Sequence, residues 1–138
     1  MKRFLPPRIM ITLTVVLLIA FSLSAKAFEP FRFAVVTDVH INKTHPNPLQ
    51  DLRLSVQQIN ATDSIDFVLV TGDIADGGDG QSLQIAHDEL SKLRKPWYIL
   101  EGNHDQNWSE SACMDFVRIF GYERFRFEHK GFLFLGFP

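Results

Sequence analysis

Three short polar clusters in this chain carry the side chains that could do chemistry. The first holds Asp38 and His40, the second holds Asp73, and the third holds the adjacent pair Asn103 and His104. Carboxylate, imidazole and amide groups bind divalent ions of hard or borderline character, and imidazole also transfers protons near neutral pH. If the fold brings the clusters together, they could form a metal centre with an acid–base group beside it.

An apolar, strand-like run precedes each cluster. The runs cover residues 31–37, 67–71 and 97–100 and are rich in β-branched and aromatic residues, which predicts buried parallel strands. Asp73 lies 35 positions after Asp38, and Asn103 lies 30 positions after Asp73. This is the length of a strand–helix–strand unit, which returns the chain to the same end of a parallel sheet. We therefore predict an α/β fold in which the clusters converge at the carboxyl ends of the strands.

Helix capping is the alternative explanation of these polar loops, because Asp and Asn are common N-caps. Capping requires one such residue for each helix. These loops instead place five potential ligand or proton-transfer groups at three strand ends. We therefore favour a metal centre.

The clusters read D-x-H, G-D and G-N-H-D, and in this order and spacing the chain resembles the calcineurin-like metallophosphoesterases. The resemblance implies part of a β-sandwich flanked by helices, with a βαβαβ core followed by a β-hairpin. It implies that Asp38 and His40 bind one metal, that Asp73 bridges two metals, and that Asn103 binds the second. It also implies that His104 is the catalytic residue that protonates the leaving group or stabilises the transition state.

The chemistry expected of such a site is hydrolysis of a phosphomonoester or a phosphodiester. A carboxylate shared by two divalent ions holds them about 3.5–4 Å apart, so that a hydroxide activated by both can attack phosphorus in line. Oxygen and imidazole donors suit Mn, Fe, Zn or Co without choosing among them. We therefore expect two divalent metal ions as cofactors and a phosphate ester as the substrate.

The later histidine motifs of that family, G-H and G-H-x-H, do not occur in this chain. The resemblance therefore implies that the chain is the amino-terminal part of the domain and that the carboxyl-terminal half is absent. His45 lies near the first cluster and is a minor candidate for a substrate contact, whereas His87 and His129 are interpreted as solvated surface residues. The loop acids Asp76 and Asp79 are interpreted as solvated rather than as ligands.

The first 27 residues have the pattern of a secretory signal peptide. Three cations at the start are followed by an apolar run over residues 9–21 and by an A-x-A cleavage site at residues 25–27. An uncleaved membrane anchor is the alternative, but the run is short for a span of about 20 residues. We predict a signal peptide over residues 1–27, a phosphoesterase domain over residues 28–138, a secreted or periplasmic location, and membrane contact only through the signal segment.

The net charge argues against a nucleic-acid partner. The full chain has a formal net charge of −2, and the signal segment carries four cations and no acid, so its removal leaves −6. Such an acidic chain offers no basic surface to a nucleic acid. Positive potential at its site would have to come from bound metal.

The segments between the clusters have the periodicity of helices that pack on a sheet. Apolar residues recur at helical spacing in residues 49–59 and 83–93. A third helix is predicted from about Glu110 to Phe120, with a capping box formed by Asn107 and Glu110. Cys113, the single cysteine, cannot form an internal disulfide and is interpreted as a buried residue of this helix.

The last part of the chain reads as a hairpin over residues 124–128 and 131–137. Its second strand is apolar on both faces, which predicts a central strand. Without further strands beside it, Phe132, Phe134 and Phe137 would be uncovered, and the chain would associate with another chain or with itself.

Together these observations predict an exported metallophosphoesterase that is represented here by its amino-terminal part. Two alternatives stay open. In one, the chain is a truncated, inactive product. In the other, it is a non-catalytic subunit that a separate polypeptide completes.

Overall fold

The computed structural model describes residues 28–106 and 110–138. The predicted signal peptide and Asn107 therefore lie outside the described residues. No helix in the described part of the chain is long and apolar enough to cross a membrane. The elements, in chain order, are β1 (Phe33–Val36), α1 (Asn47–Ala61), β2 (Phe67–Thr71), α2 (Gly80–Leu90), β3 (Trp97–Leu100), α3 (Asn103–Gln106), α4 (Met114–Phe120), β4 (Phe125–His129) and β5 (Phe132–Gly136).

A parallel sheet of order β1-β2-β3 forms the centre of the fold. Val36 of β1 is opposite Val70 of β2, and Thr71 of β2 is opposite Leu100 of β3, so the three strands end close together. Because β2 is central, the loop that follows it lies between the loops that follow β1 and β3. The predicted α/β core is confirmed, and the three polar clusters meet at one end of the sheet.

Both crossover helices and α4 pack on one face of the sheet. Val68, Val70 and Ile99 of the strands are fully buried there. The predicted helical stripes supply the facing residues, which are Leu52, Val56 and Ile59 of α1 and Leu83, Ala86 and Leu90 of α2. Each large aliphatic side chain buried in this way contributes about 1.5–3 kcal/mol, so this layer holds the strand ends in place.

The hairpin of β4 and β5 covers the opposite face of the sheet with aromatic rings. Tyr98 of β3 stacks on Phe127 with ring centroids 3.7 Å apart, and Phe127 stacks in turn on Phe134 at 4.9 Å. Phe67 of β2 is 2% exposed and contacts the rings of both hairpin residues. The central strand is therefore enclosed on both faces, as the predicted part of a β-sandwich requires.

The hairpin leaves part of the apolar surface uncovered. Phe134 is half-buried, so its predicted lack of cover is wrong, whereas Phe132 and Phe137 are exposed. Within residues 28–106 and 110–138, β5 pairs with β4 alone, so it is not a central strand there. The outer strand β1 also exposes Phe33 and Val35, because the two-stranded hairpin does not extend fully over it. The prediction of fully buried strands therefore fails for β1.

The helix predicted from Glu110 to Phe120 is α4, and it starts later than predicted. It begins at Met114, and residues 110–113 form turns. Ala112 has a φ of 48°, which a continuous right-handed helix excludes. The backbone N–H of Asp115 donates instead to the Ser111 Oγ at 3.2 Å. The predicted start at Glu110 is wrong for this reason.

Two glycines allow the loops after β2 and β3 to touch. A Cβ atom on Gly102 would lie closer to Oδ1 and to the backbone nitrogen of Asp73 than van der Waals contact permits. A Cβ atom on Gly72, whose φ is +90°, would lie 2.8 Å from the Cα of Gly102. Any side chain at either position would therefore push the two loops apart.

We expect Gly102→Ala to lower the free energy of unfolding by about 1–3 kcal/mol, because extra atoms must enter a filled space. Gly77→Ala is the matched control, since a Cβ atom there meets no atom of the described residues within 4 Å. Chemical denaturation of both variants tests the expectation. Equal losses in the two variants would contradict the close approach of the loops.

Candidate metal centre

The first and second clusters form one group of possible ligands. An oxygen of Asp38, a ring nitrogen of His40 and an oxygen of Asp73 all lie within 4.8 Å of one another. The Nε2 of His40 is 3.9 Å from Oδ1 of Asp38 and 4.0 Å from Oδ2 of Asp73. These donors converge without hydrogen-bonding to one another, and two carboxylates and an imidazole together suit a divalent ion. The structure thus brings together the three residues predicted to bind the first metal.

These three residues share an uncommon backbone conformation. The φ angles of Asp38, His40 and Asp73 are 54°, 50° and 52°, a left-handed region that costs non-glycine residues about 1–3 kcal/mol each. Hydrogen bonds between the loops hold the conformation, because the N–H of Asp38 donates to the Gly72 carbonyl at 3.2 Å and that of His40 to the Asp73 carbonyl at 2.9 Å. Such strain, at converging polar groups, is typical of functional sites.

Helix capping does not explain the first two clusters. The N-cap of α1 is Pro46, and the N-cap of α2 is Asp79. Asp38 and Asp73 therefore cap neither crossover helix, and the alternative explanation of these loops is wrong.

His104 joins the third cluster to the other two. Its ring packs edge-on against that of His40, with centroids 4.6 Å apart, and its backbone N–H donates to Oδ1 of Asp73 at 3.1 Å. Its Nδ1 lies 2.6 Å from the backbone carbonyl oxygen of Asp76. Because a carbonyl oxygen can only accept, Nδ1 carries the hydrogen of this bond.

The two remaining candidates from the sequence, Asn103 and His45, are exposed. Asn103 is exposed at the first position of α3, directly before His104, and its binding of a second metal stays a prediction. His45 is exposed in the loop before α1. It belongs to none of the groups of His, Cys, Asp and Glu that could share an ion within the described ranges.

Asp76 is exposed, in agreement with its interpretation as a solvated loop residue, and it also lies beside both histidines of the site. One of its oxygens lies within 4.8 Å of ring nitrogens of both His40 and His104. Its Oδ1 faces the Nδ1 of His40 at 3.7 Å, and its Oδ2 accepts a hydrogen bond from Asn42 at 2.7 Å. The 3.7 Å separation from His40 is longer than a hydrogen bond, so Asp76 contributes negative charge beside the ring and does not hold it in one orientation. The only sequence signal was its place three residues after Asp73.

Asp79 has a structural role instead of a solvated one. It caps α2 by accepting from the backbone N–H of Ser82 at 3.1 Å, and it forms an ion pair with Lys43 at 2.8 Å. Burial by itself would raise the pKa of Asp79, but the hydrogen bonds from Lys43 and Ser82 outweigh this effect and keep that pKa below its ordinary value.

Asp105 holds the site together, and sequence reasoning assigned it no role. It is fully buried. Its Oδ1 accepts from the N–H groups of Ile74 and Ala75 at 3.1 and 3.0 Å, and its Oδ2 accepts from Gly102 at 2.9 Å. A buried carboxylate requires such donors, and here they belong to the loops after β2 and β3. The feature of the sequence that could have identified Asp105 is its position as the last residue of the G-N-H-D motif.

His87 and His129 are half-buried, so their interpretation as solvated surface residues is wrong. The ring of His87 packs against Phe120, with centroids 5.5 Å apart. That of His129 packs against Phe67 at 5.2 Å. Each histidine is on the inward side of its element, where aromatic neighbours cover it.

Comparison with known proteins agrees with this geometry. The family model of the calcineurin-like phosphoesterases matches residues 31–137. The chain belongs to this family. Its members are metal-dependent phosphoester hydrolases, and the convergence of Asp38, His40, Asp73 and His104 is consistent with membership.

Two curated relatives carry a more specific name. The chain is 26% identical over 81 residues to a probable cyclic nucleotide phosphodiesterase of Xenorhabdus bovienii, and 33% identical over 81 residues to one of Rhodopseudomonas palustris. The alignments cover 52% and 54% of this chain, and 33% and 30% of the two relatives. The chain thus spans about a third of the length of the relatives it matches.

We expect Asp105→Asn to lower the free energy of unfolding by about 1–3 kcal/mol, because the new amide nitrogen cannot accept from the backbone N–H groups that now face the carboxylate. Asp63→Asn, in an exposed turn before β2, makes the same chemical change without such partners. Chemical denaturation compares the two variants. If both lost equally little stability, the loops would not depend on the Asp105 carboxylate.

Proposed function

We propose that this chain acts in the metal-dependent hydrolysis of a phosphate ester and that the group Asp38, His40, Asp73 and His104 is its active site. The observation that carries the proposal is the convergence of these side chains at the carboxyl end of the sheet, in the fold of a phosphoesterase family. The residue types match the chemistry, since two acids and an imidazole can hold an ion and a second imidazole can transfer a proton.

The donor set fits the implied metal ions. Asp38, His40 and Asp73 would hold one ion, and Asp73 with Asn103 would contribute to a second. Two divalent ions, when bound, would stabilise charge on the phosphoryl oxygens and lower the pKa of an attacking water. The described donors at this site are oxygen and imidazole, which suit Mn, Fe, Zn or Co.

His104 would act as the proton donor to the leaving oxygen. The hydrogen bond from its Nδ1 to the Asp76 carbonyl fixes the direction of the ring. Nε2 of the same ring would give a proton to the departing alkoxide or, as a cation, would stabilise the phosphoryl oxygens. Its side chain is 16% exposed, which reduces competition from solvent.

A phosphodiester is the substrate class that we favour. The two relatives are named as probable cyclic nucleotide phosphodiesterases, and a cavity beside the site could receive part of such a molecule. The cavity has a volume of about 300 Å³ and lies between the end of β1 and α1, with Asp38, His40 and Ser55 in its lining. This is at the lower end of the range for small-molecule sites.

Export is a further part of the proposal. It is supported by the basic start, apolar run and A-x-A site in residues 1–27. The expected location is secreted or periplasmic. Mass spectrometry of the chain recovered from the cell envelope or medium tests this, with Phe28 expected as the first residue.

A second candidate function is that of a subunit completed by a separate chain. The exposed apolar side chains on β1 and on the hairpin favour it, because an uncovered apolar sheet face marks an interaction surface. These residues are Phe33, Val35, Phe132, Leu133, Leu135 and Phe137. In this case hydrolysis would require the partner chain.

In a full-length version that also carries the later histidine motifs, Asp73→Ala should abolish Mn²⁺-dependent hydrolysis of a bis-aryl phosphate and lower the bound metal, because Asp73 is the proposed shared ligand. Metal analysis and turnover assays on the purified chain measure both effects, and circular dichroism confirms that the variant is folded. Retention of both metal and rate would exclude the shared-ligand role. If the parent chain showed no turnover above that of the variant, the subunit function would be favoured.

His104→Ala should lower the same rate by about 10²–10⁴-fold, because proton transfer is lost. The metal content should stay that of the parent chain, since His104 is not a proposed ligand. The two measurements are made on one preparation. Loss of metal from the variant would make His104 a ligand instead of a proton donor.

A further inference from the structure

A second group of possible metal ligands lies at the end of β3 and around α4. Glu101, Cys113 and Glu123 each place one ligand atom within 4.8 Å of the other two. None of the three belongs to the phosphoesterase site described above. Sequence reasoning did not find the group, because its members are 12 and 10 residues apart in the chain.

One carboxylate oxygen of Glu101 lacks a hydrogen-bond partner among the described residues. The residue is 6% exposed, and its Oε1 accepts a hydrogen bond from Gln106 at 2.7 Å. Among residues 28–106 and 110–138, its Oε2 is buried and has no hydrogen-bond partner. A buried acceptor in this state costs free energy, and a cation bound within the group would satisfy it.

The distances allow an ion between the three side chains. Atoms that all lie within 4.8 Å of one another fit inside a circle with a radius of about 2.8 Å. This is slightly longer than the Zn–S distance of about 2.3 Å and the Zn–O distance of about 2.0–2.2 Å. Small changes in the three side-chain torsions would therefore bring these atoms to bonding distance, and a water molecule would take the fourth position of a tetrahedral ion.

The donor types select the metal. A thiolate is a soft ligand that Mg²⁺ and Ca²⁺ avoid, whereas Zn²⁺ accepts thiolate and carboxylate together. We propose that Glu101, Cys113 and Glu123 form a Zn²⁺ site that is separate from the phosphoesterase centre.

The positions of the ligands give the ion a structural role. Cys113 is the residue before α4 and is partly exposed. The interpretation from the sequence, a buried residue within the helix, is therefore wrong. Glu123 follows Gly121, which ends α4 in a left-handed conformation. Glu101 lies between β3 and Asn103. A bound ion would thus join both ends of α4 to the strand that leads into the catalytic loop.

The site has a route to solvent. The Glu123 side chain is 37% exposed. Its Oε1 contacts the guanidinium of Arg124, so its other oxygen can face the ion. Arg124 also offsets part of the negative charge that two acids and a thiolate bring together.

Titration of the purified chain with Co²⁺ tests the proposal, because Co²⁺ replaces Zn²⁺ and gives a near-ultraviolet charge-transfer band when a thiolate binds it. Cys113 is the only cysteine in the chain, so such a band can come from no other residue. We expect the band in the parent chain and in Asp73→Ala, and its loss in Cys113→Ser. Zn²⁺ should remove the band by displacing Co²⁺.

Two further variants separate a built site from an isolated thiol. Glu101→Gln and Glu123→Gln keep Cys113 and should each weaken Co²⁺ binding by at least 10-fold, since loss of even an outer partner costs about 10–100-fold. Absence of the band in the folded parent chain would overturn the proposal. So would unchanged affinity in both glutamine variants. A band whose absorbance per mole of protein rises with protein concentration would also overturn it, because cysteines of two copies would then share the ion.

Discussion

The buried carboxylate of Asp105 is the interaction on which the rest of the site depends. It accepts backbone hydrogen bonds from the loop after β2 and from the loop after β3. A charge in this position is stabilised only while these donors surround it. The two loops are therefore held together by the need to solvate one acid from within the protein, and the glycine contact between Gly72 and Gly102 sets how closely they approach.

This constraint explains how the strained residues are maintained. Asp38, His40 and Asp73 have left-handed backbones that would relax in an isolated loop. Hydrogen bonds run from the loop after β1 to the loop after β2, which Asp105 holds in turn. The helices on one face and the aromatic hairpin on the other keep the strand ends in register. The ligand geometry is thus determined by packing well outside the site.

Much of the fold and site could be predicted from the sequence because it depends on local patterns. The stripes of α1 and α2, the three apolar strands and their spacing follow from residue types a few positions apart, and burial on a sheet then permits few arrangements. The convergence of Asp38, His40, Asp73 and His104 follows from that topology. Each of the three motifs is a short run of consecutive residues, so the family could also be recognised from the residues alone.

Other features depend on which distant residues pack together, and only the tertiary structure decided them. Asp105 could not be distinguished from a solvated acid until the loops that face it were in place. The start of α4 depends on the turn at Ala112, and the group of Glu101, Cys113 and Glu123 exists only because α4 returns to the end of β3. Local periodicity indicates which face of an element is apolar. It does not predict which polar atoms from separate segments meet, because long-range packing and the need to satisfy buried polar groups decide that.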